Sequence, residues 1–141
     1  LINYLSNSLG SQSIVGVLDV KKNIFGKYNA YINNGKTKIK NNFDDVVLQF
    51  IKNGIGEIVI NNIDNDGMFC GYDIQLLKKI KKISNVPMTI IGGAGSLQDM
   101  RQVWNSCGLM GCGAGSLFVF KGKYKAVLIN YPNREERKPL Y

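Results

Sequence analysis

A parallel α/β sheet with helices between its strands is the fold class this sequence predicts, and three observations predict it. Short apolar runs recur along the chain at Ile14 to Leu18, Ile58 to Ile60, Met88 to Ile91 and Leu109 to Cys112. Segments with apolar residues at helical spacing separate them, and such alternation argues for parallel pairing through right-handed crossovers. The last two runs end in glycine clusters, Gly92-Gly93-Ala94-Gly95 and Gly113-Ala114-Gly115-Ser116, the strand, glycine turn and helix start of a βα unit. Four units make half of an eightfold (βα)8 barrel. The whole barrel needs roughly 200 residues or more, so 141 residues exclude it.

Composition narrows the function. No segment approaches the ~20 apolar residues of a membrane span, and Leu1-Ile2-Asn3-Tyr4 lacks the basic start of a signal peptide, so no membrane role is expected. Leu1 in place of methionine is what a piece of a longer protein would show. The net charge of +8 invites a nucleic-acid reading, but the lysines of 36–40, 78–82 and 121–125 fall in no nucleic-acid-binding pattern. A solvated basic surface is expected instead, with a potential that suits a phosphorylated metabolite. Histidine is absent, which removes Ser-His-Asp and Cys-His nucleophiles and histidine metal sites together. Proton transfer must then fall to a carboxylate, lysine, tyrosine or cysteine. Cys70, Cys107 and Cys112 are odd in number and lack Cys-x-x-Cys spacing, so reduced cytosolic thiols are expected, with no metal and no cofactor.

The elements follow in order. Leu1, Ile2, Leu5 and Leu9 have the spacing of a helix end, broken by Gly10-Ser11-Gln12. Ser13 to Val20 reads as a strand apolar on both faces, as parallel strands covered by helices are. Between Lys27 and Lys40, alternation on both sides of Asn33-Asn34-Gly35 predicts a β-hairpin inserted after that strand. Asn42 is placed to cap a helix from Phe43 that buries Val46, Val47, Phe50 and Ile51 and ends at Gly54. Glu57 to Asn61 is the next strand. Tyr72-Asp73 opens a helix with Ile74, Leu77, Ile80 and Ile83 inward, and Val86-Pro87 turns the chain into the third strand. The helix after Ser96 buries Leu97, Met100, Val103 and Trp104, with Trp104 read as core. A short helix is expected over Leu117 to Phe120. Tyr124 to Tyr131 fits a helix or a strand equally well, and 132–141, polar and basic, is expected to be a mobile tail of this single partial domain. Both outer strands of a lone half barrel would be unpaired and would invite self-association.

Two features carry chemistry. In parallel barrels the loops after the last two strands commonly form a phosphate site with a short helix N-terminus, and the two glycine clusters are read as that site; tight βα turns are the plainer reading. Asp19 closes the first strand at its carboxyl end, where functional side chains of βα folds sit, and is the leading candidate for an acid or base, against the plainer reading of a loop cap. Lys21 and Lys22 would favour its ionised form and burial its neutral form. The loop Asn61 to Gly67, with Asp64 and Asp66, reads as a ligand-facing rim. Its resemblance to a calcium loop fails for want of a glutamate at the twelfth position.

These residues carry a family resemblance over nearly the whole chain to about Lys121. Gly10-Ser11-Gln12, Asp19-Val20-Lys21, Gly54-Ile55-Gly56-Glu57-Ile58, Ile63-Asp64-Asn65-Asp66-Gly67 with Gly71-Tyr72-Asp73, and Gly92-Gly93-Ala94-Gly95 resemble the C-terminal half of the cyclase subunits of imidazole glycerol phosphate synthase. The resemblance implies the second half of a (βα)8 TIM barrel of histidine biosynthesis. It implies a glutaminase partner whose ammonia crosses the barrel, and a bis-phosphorylated phosphoribulosyl-formimino ribonucleotide that is cyclised and cleaved. Asp19 then stands for one of two acid–base aspartates, the other belonging to the half not in this chain. Gly67, Gly93 and Ser116, with backbone from Gly92 and Gly115, stand for one phosphate site, Asp66 for a residue close to substrate, and Gln12 and Glu57 for the ammonia entry and partner face. After Phe120 the chain departs from the biosynthetic pattern. Gly122 to Arg134 resembles cyclase-like paralogues found with surface-sugar acetamidino modification, which implies the alternative of channelling ammonia to a sugar amidotransferase.

Overall fold

A computed structural model describes residues 1–140. Tyr141, the last residue of the expected tail, lies outside the described residues. Helix α1 (Ile2–Leu9) leads through a 3-10 turn (Ser11–Ser13) into β1 (Val15–Lys22). The hairpin strands β2 (Tyr28–Ile32) and β3 (Thr37–Lys38) follow, then α2 (Phe43–Lys52) and β4 (Glu57–Asn62). A 3-10 turn (Ile63–Asn65) and α3 (Ile74–Lys81) lead to β5 (Met88–Ile91), α4 (Leu97–Cys107) and β6 (Gly111–Cys112). The chain closes with α5 (Ser116–Val119), the two-stranded ribbon β7 (Phe120–Lys121) and β8 (Ala126–Val127), α6 (Arg134–Arg137) and a 3-10 turn (Lys138–Leu140).

The main sheet runs β3-β2-β1-β4-β5-β6. β1, β4, β5 and β6 are parallel, and β2 is antiparallel to β1 and to β3. The four parallel βα units and the inserted hairpin are thus as expected. Positive φ at Asn33, Asn34 and Gly35 makes the hairpin turn, the conformation Asn-Gly pairs favour.

One face of the sheet is buried under the helices. Leu18, Val20, Ile58, Ile60, Met88 and Ile90 alternate along β1, β4 and β5 and pack with Val46 and Val47 of α2, Leu76, Leu77 and Ile80 of α3, and Met100 and Val103 of α4. Burying each such aliphatic side chain contributes about 1.5–3 kcal/mol, so this row holds the half barrel together. The other face is open. Val15 is 50% and Val17 58% exposed, so the expectation that β1 is covered on both faces is corrected: helices pack on one side only.

Other boundaries also move. β1 extends to Lys22 because β2 pairs with Asp19 through Lys22, so only the first half of β1 is an unpaired edge there. β6 shrinks to two residues paired with Thr89 and Ile90, and Leu109, expected in that strand, is 89% exposed. Asn42 occupies the N-cap of α2, but its side chain makes no capping bond. Asp73 and Ser96 do cap α3 and α4, the latter in a reciprocal capping box with Asp99. Trp104 is partly buried and its indole N–H donates to the Met110 carbonyl at 2.8 Å. Of the 124–131 stretch, Tyr124 and Lys125 belong to the turn between β7 and β8, Ala126 and Val127 form β8, and the rest carries no regular element. Leu128 and Asn130 donate backbone bonds to Val119 and Phe118. Within the expected tail, Asn133 and Glu136 form a capping box on α6, and Leu140 packs on the core.

Candidate functional site

The carboxyl ends of the parallel strands gather the predicted phosphate residues. Asp66, Gly67, Gly92, Gly93, Ala94, Gly113, Ala114, Gly115 and Ser116 line one small depression, drawn from the loop after β4, the turn after β5 and the entry to α5. The backbone makes this depression possible. Gly92 and Gly93 hold φ of 90° and 107°, and a Cβ on them would collide with the carbonyl oxygens of Asn62 and Gly71. Gly71 N–H in turn donates to the Gly93 carbonyl at 2.8 Å, and Gly113 N–H to the Ile90 carbonyl at 2.8 Å. The first bond ties the loop after β4 to the turn after β5, and the second ties the start of the turn after β6 to strand β5. The Ser116 hydroxyl faces Gly67 across the depression, 3.6 Å from where a Cβ would stand. The first N–H groups of a helix lack acceptors within it, so the start of α5 adds donors to a cradle already walled by glycine backbone. Asp66 is the one carboxylate in the lining and is exposed to solvent.

Asp19 lies two strands away from β5 on the same open face, half-buried. The side-chain amide of Asn61 donates to its Oδ1 at 2.9 Å. Neither neighbouring lysine pairs with it: the Lys21 ammonium lies 5.1 Å over the Tyr31 ring, and that of Lys22 5.1 Å over Tyr28. The competition between lysine charge and burial foreseen for Asp19 is thus replaced by a contact with a neutral amide. Asp64, exposed in the loop after β4, accepts the Lys22 backbone N–H at the carboxyl end of β1 at 2.7 Å.

Gln12 and Glu57 sit at the opposite end of the sheet. Gln12 is in the 3-10 turn before β1, and Glu57, the first residue of β4, pairs with Val15. The Thr89 hydroxyl donates to Glu57 Oε1 at 2.6 Å. Asn61 entered the sequence reading only as the first residue of the rim loop and Thr89 not as a site residue at all, yet each lies on the open face by simple alternation from Glu57 and Ile91. A tally of polar residues at those positions would have found them. Gly113, Ala114 and Ala94 complete the cradle within the glycine clusters already noted.

Burial pushes the Cys112 thiol up to about 11 and raises that of Cys107, while Cys70 is exposed. All three are free thiols. Among the described residues no helix is long and apolar enough to cross a membrane.

Comparison with known proteins gives the family. A protein from Leptospira interrogans, provisionally named imidazole glycerol phosphate synthase subunit HisF, is 46% identical over 142 residues, spanning 100% of this chain and 56% of the relative. A similarly named protein of Vibrio vulnificus is 48% identical over 139 residues, 98% of this chain and 54% of its own length. Imidazole glycerol phosphate synthase subunit HisF of Dictyoglomus turgidum is 41% identical over 100 residues, 71% of this chain and 40% of that protein. The chain thus spans about half the length of the curated relatives it matches most fully. The model of the histidine biosynthesis protein family matches residues 1–125, which include Asp19 and every residue of the glycine cradle, and the chain belongs to that family.

Proposed function

We propose that this chain works as the second half of a cyclase subunit of imidazole glycerol phosphate synthase, with the glycine cradle holding one phosphate of a bis-phosphorylated ribonucleotide. The observation that carries the reading is the convergence of Gly67, Gly92, Gly93, Gly115 and Ser116 into one depression at the same end of the sheet as Asp19. Backbone N–H groups there bind an oxyanion without a counter-charge, which suits a phosphate that must also leave. Asp66, on the rim of that cradle, is the residue closest to the rest of the substrate.

Asp19 acts as one of two general acid–base groups, taking and returning a proton on the ring-forming atoms. A positioned carboxylate contributes typically 10²–10⁴-fold. Gln12 and Glu57, at the far end of the strands, face a glutaminase subunit and the entry of its ammonia. The setting is the cytosol, with neither nucleic acid nor membrane as partner. By itself the half barrel catalyses poorly and associates with a second copy through its open edge and face.

The test is ring formation with ammonia supplied directly, in a barrel of family length carrying this chain as its second half. Activity that falls at least about 100-fold in Asp19→Asn supports the reading. A protein that binds the glutaminase and conducts ammonia but forms no ring overturns it in favour of ammonia delivery to another acceptor.

A further inference from the structure

We infer that Asn61 is a positioning residue for Asp19: its amide holds Oδ1 and leaves Oδ2 as the oxygen that exchanges the proton. The inference rests on the acid–base reading of Asp19 and adds to it the group that orients the carboxylate.

Register and alternation place the pair. Asp19 and Asn61 are direct partners in the parallel β1–β4 ladder, and Val17 and Val59 are partners one step below on the same face. Two valines therefore floor the pair, and the open carboxyl ends lie beyond it. The 2.9 Å bond from Asn61 is the only hydrogen bond or ion pair of the Asp19 side chain among the described residues. The lysines that follow Asp19 in sequence are engaged by aromatic rings on β2, so no cation orients it.

A carboxyl group that rotates freely presents either oxygen and several rotamers to a reacting atom. One bound oxygen removes that freedom. The amide suits both halves of a proton-transfer cycle, because Oδ1 accepts the same bond as a carboxylate oxygen and as the carbonyl oxygen of the protonated acid. The proton arrives on Oδ2 and departs from it, while the contact to Oδ1 persists. Asn61 acts on the reaction only through Asp19, and misplacement of a reacting group by about 1 Å costs on the order of 10²-fold in rate.

The experiment measures kcat and KM with ammonia for Asn61→Leu, Asn61→Gln and Asp19→Asn in the family-length barrel. Asn61→Leu, which keeps the size and loses the donor, is expected to drop kcat about 10- to 100-fold with KM changed less than about threefold. Asn61→Gln, which keeps an amide, is expected to recover part of that loss. Should Asn61→Leu fail to fold, Asn61→Ala, which also lacks a donor, is read in the same way. An unchanged kcat in Asn61→Leu beside an inactive Asp19→Asn overturns the inference and leaves the acid–base reading standing. A KM that rises in step with the loss of kcat, with no recovery in Asn61→Gln, assigns Asn61 to packing and also overturns it. Full activity in Asp19→Asn ends both.

Discussion

A methyl group at Gly93 would strike the Gly71 carbonyl oxygen, and the backbone there holds φ 107°, a region that L side chains rarely enter. Backbone strain of this kind costs of order 1–3 kcal/mol before any collision is counted. Gly93→Ala is therefore expected to lower the unfolding free energy by about 2 kcal/mol or more and to abolish phosphate binding, read by urea titration and by calorimetry with inorganic phosphate. The thiols make a second prediction at this scale. Cys70 is exposed, whereas Cys112 is held up to about 11 and Cys107 is buried, so iodoacetamide at pH 8 is expected to label Cys70 first. Peptide mapping that finds Cys112 labelled as fast would contradict its burial. The residue scale was partly legible in sequence. The glycines and Asp19 announce themselves by type and by their place at strand ends. Asn61 and Thr89 do not, because asparagine and threonine are common in loops and strands alike. Only the register Asp19 with Asn61, a property of the folded sheet, reveals the contact.

The hairpin β2–β3 is the element that sets this half barrel apart from a plain repeat of βα units. Its strand β2 covers the upper edge of β1, and its Tyr28 hydroxyl donates to both carboxylate oxygens of Asp73, at 3.0 and 2.9 Å. Asp73 also caps α3 by accepting the Leu76 N–H at 2.9 Å, so one carboxylate ties the hairpin to the helix. Hydrogen bonds to a charged group contribute about 1.5–3 kcal/mol, and Tyr28→Phe is expected to lose stability near the lower end of that range because Tyr28 is only partly buried. Burial and then Asp73 raise the Tyr28 phenol above its usual 10.0, so folding favours its protonated form. That stabilisation is complete below pH 10 and fades as pH rises further. In alkaline titrations of thermal stability, Tyr28→Phe is expected to flatten part of the decline above pH 10; an unchanged slope would count against the contact. The hairpin itself was readable from Asn33-Asn34-Gly35. Its consequence for β1 was not, since nothing in Val20-Lys21-Lys22 tells that a neighbouring strand will extend the ladder through Lys22. The 124–131 stretch was undecidable by periodicity because its apolar residues, Val127, Leu128 and Ile129, are consecutive; the pairing of β8 with β7 and the bonds to Phe118 and Val119 settle it as a turn followed by a short strand, with no helix.

At the scale of the molecule, four parallel strands curve helices around one face and leave the other to solvent. The period of the core residues made the buried face legible. The apolar residues at Val15 and Val17 could not show that their face lacks a cover, because a covered barrel and an open half need the same side chains there. An exposed edge over Val15 to Leu18 beside an apolar face is a template for association. In sedimentation equilibrium the isolated chain is accordingly expected to run heavier than its 15.7 kDa, and a strict monomer would contradict that use of the open face. The cradle needs no second half, because β4, β5, β6 and α5 supply all of its wall. The most direct measurement is an amide NMR titration of the chain with inorganic phosphate. Shifts concentrated at Gly67, Gly92, Gly93, Gly115 and Ser116, and lost in Gly93→Ala, are predicted. Shifts centred instead on the lysines of α3, with the glycine amides unmoved, would contradict the account.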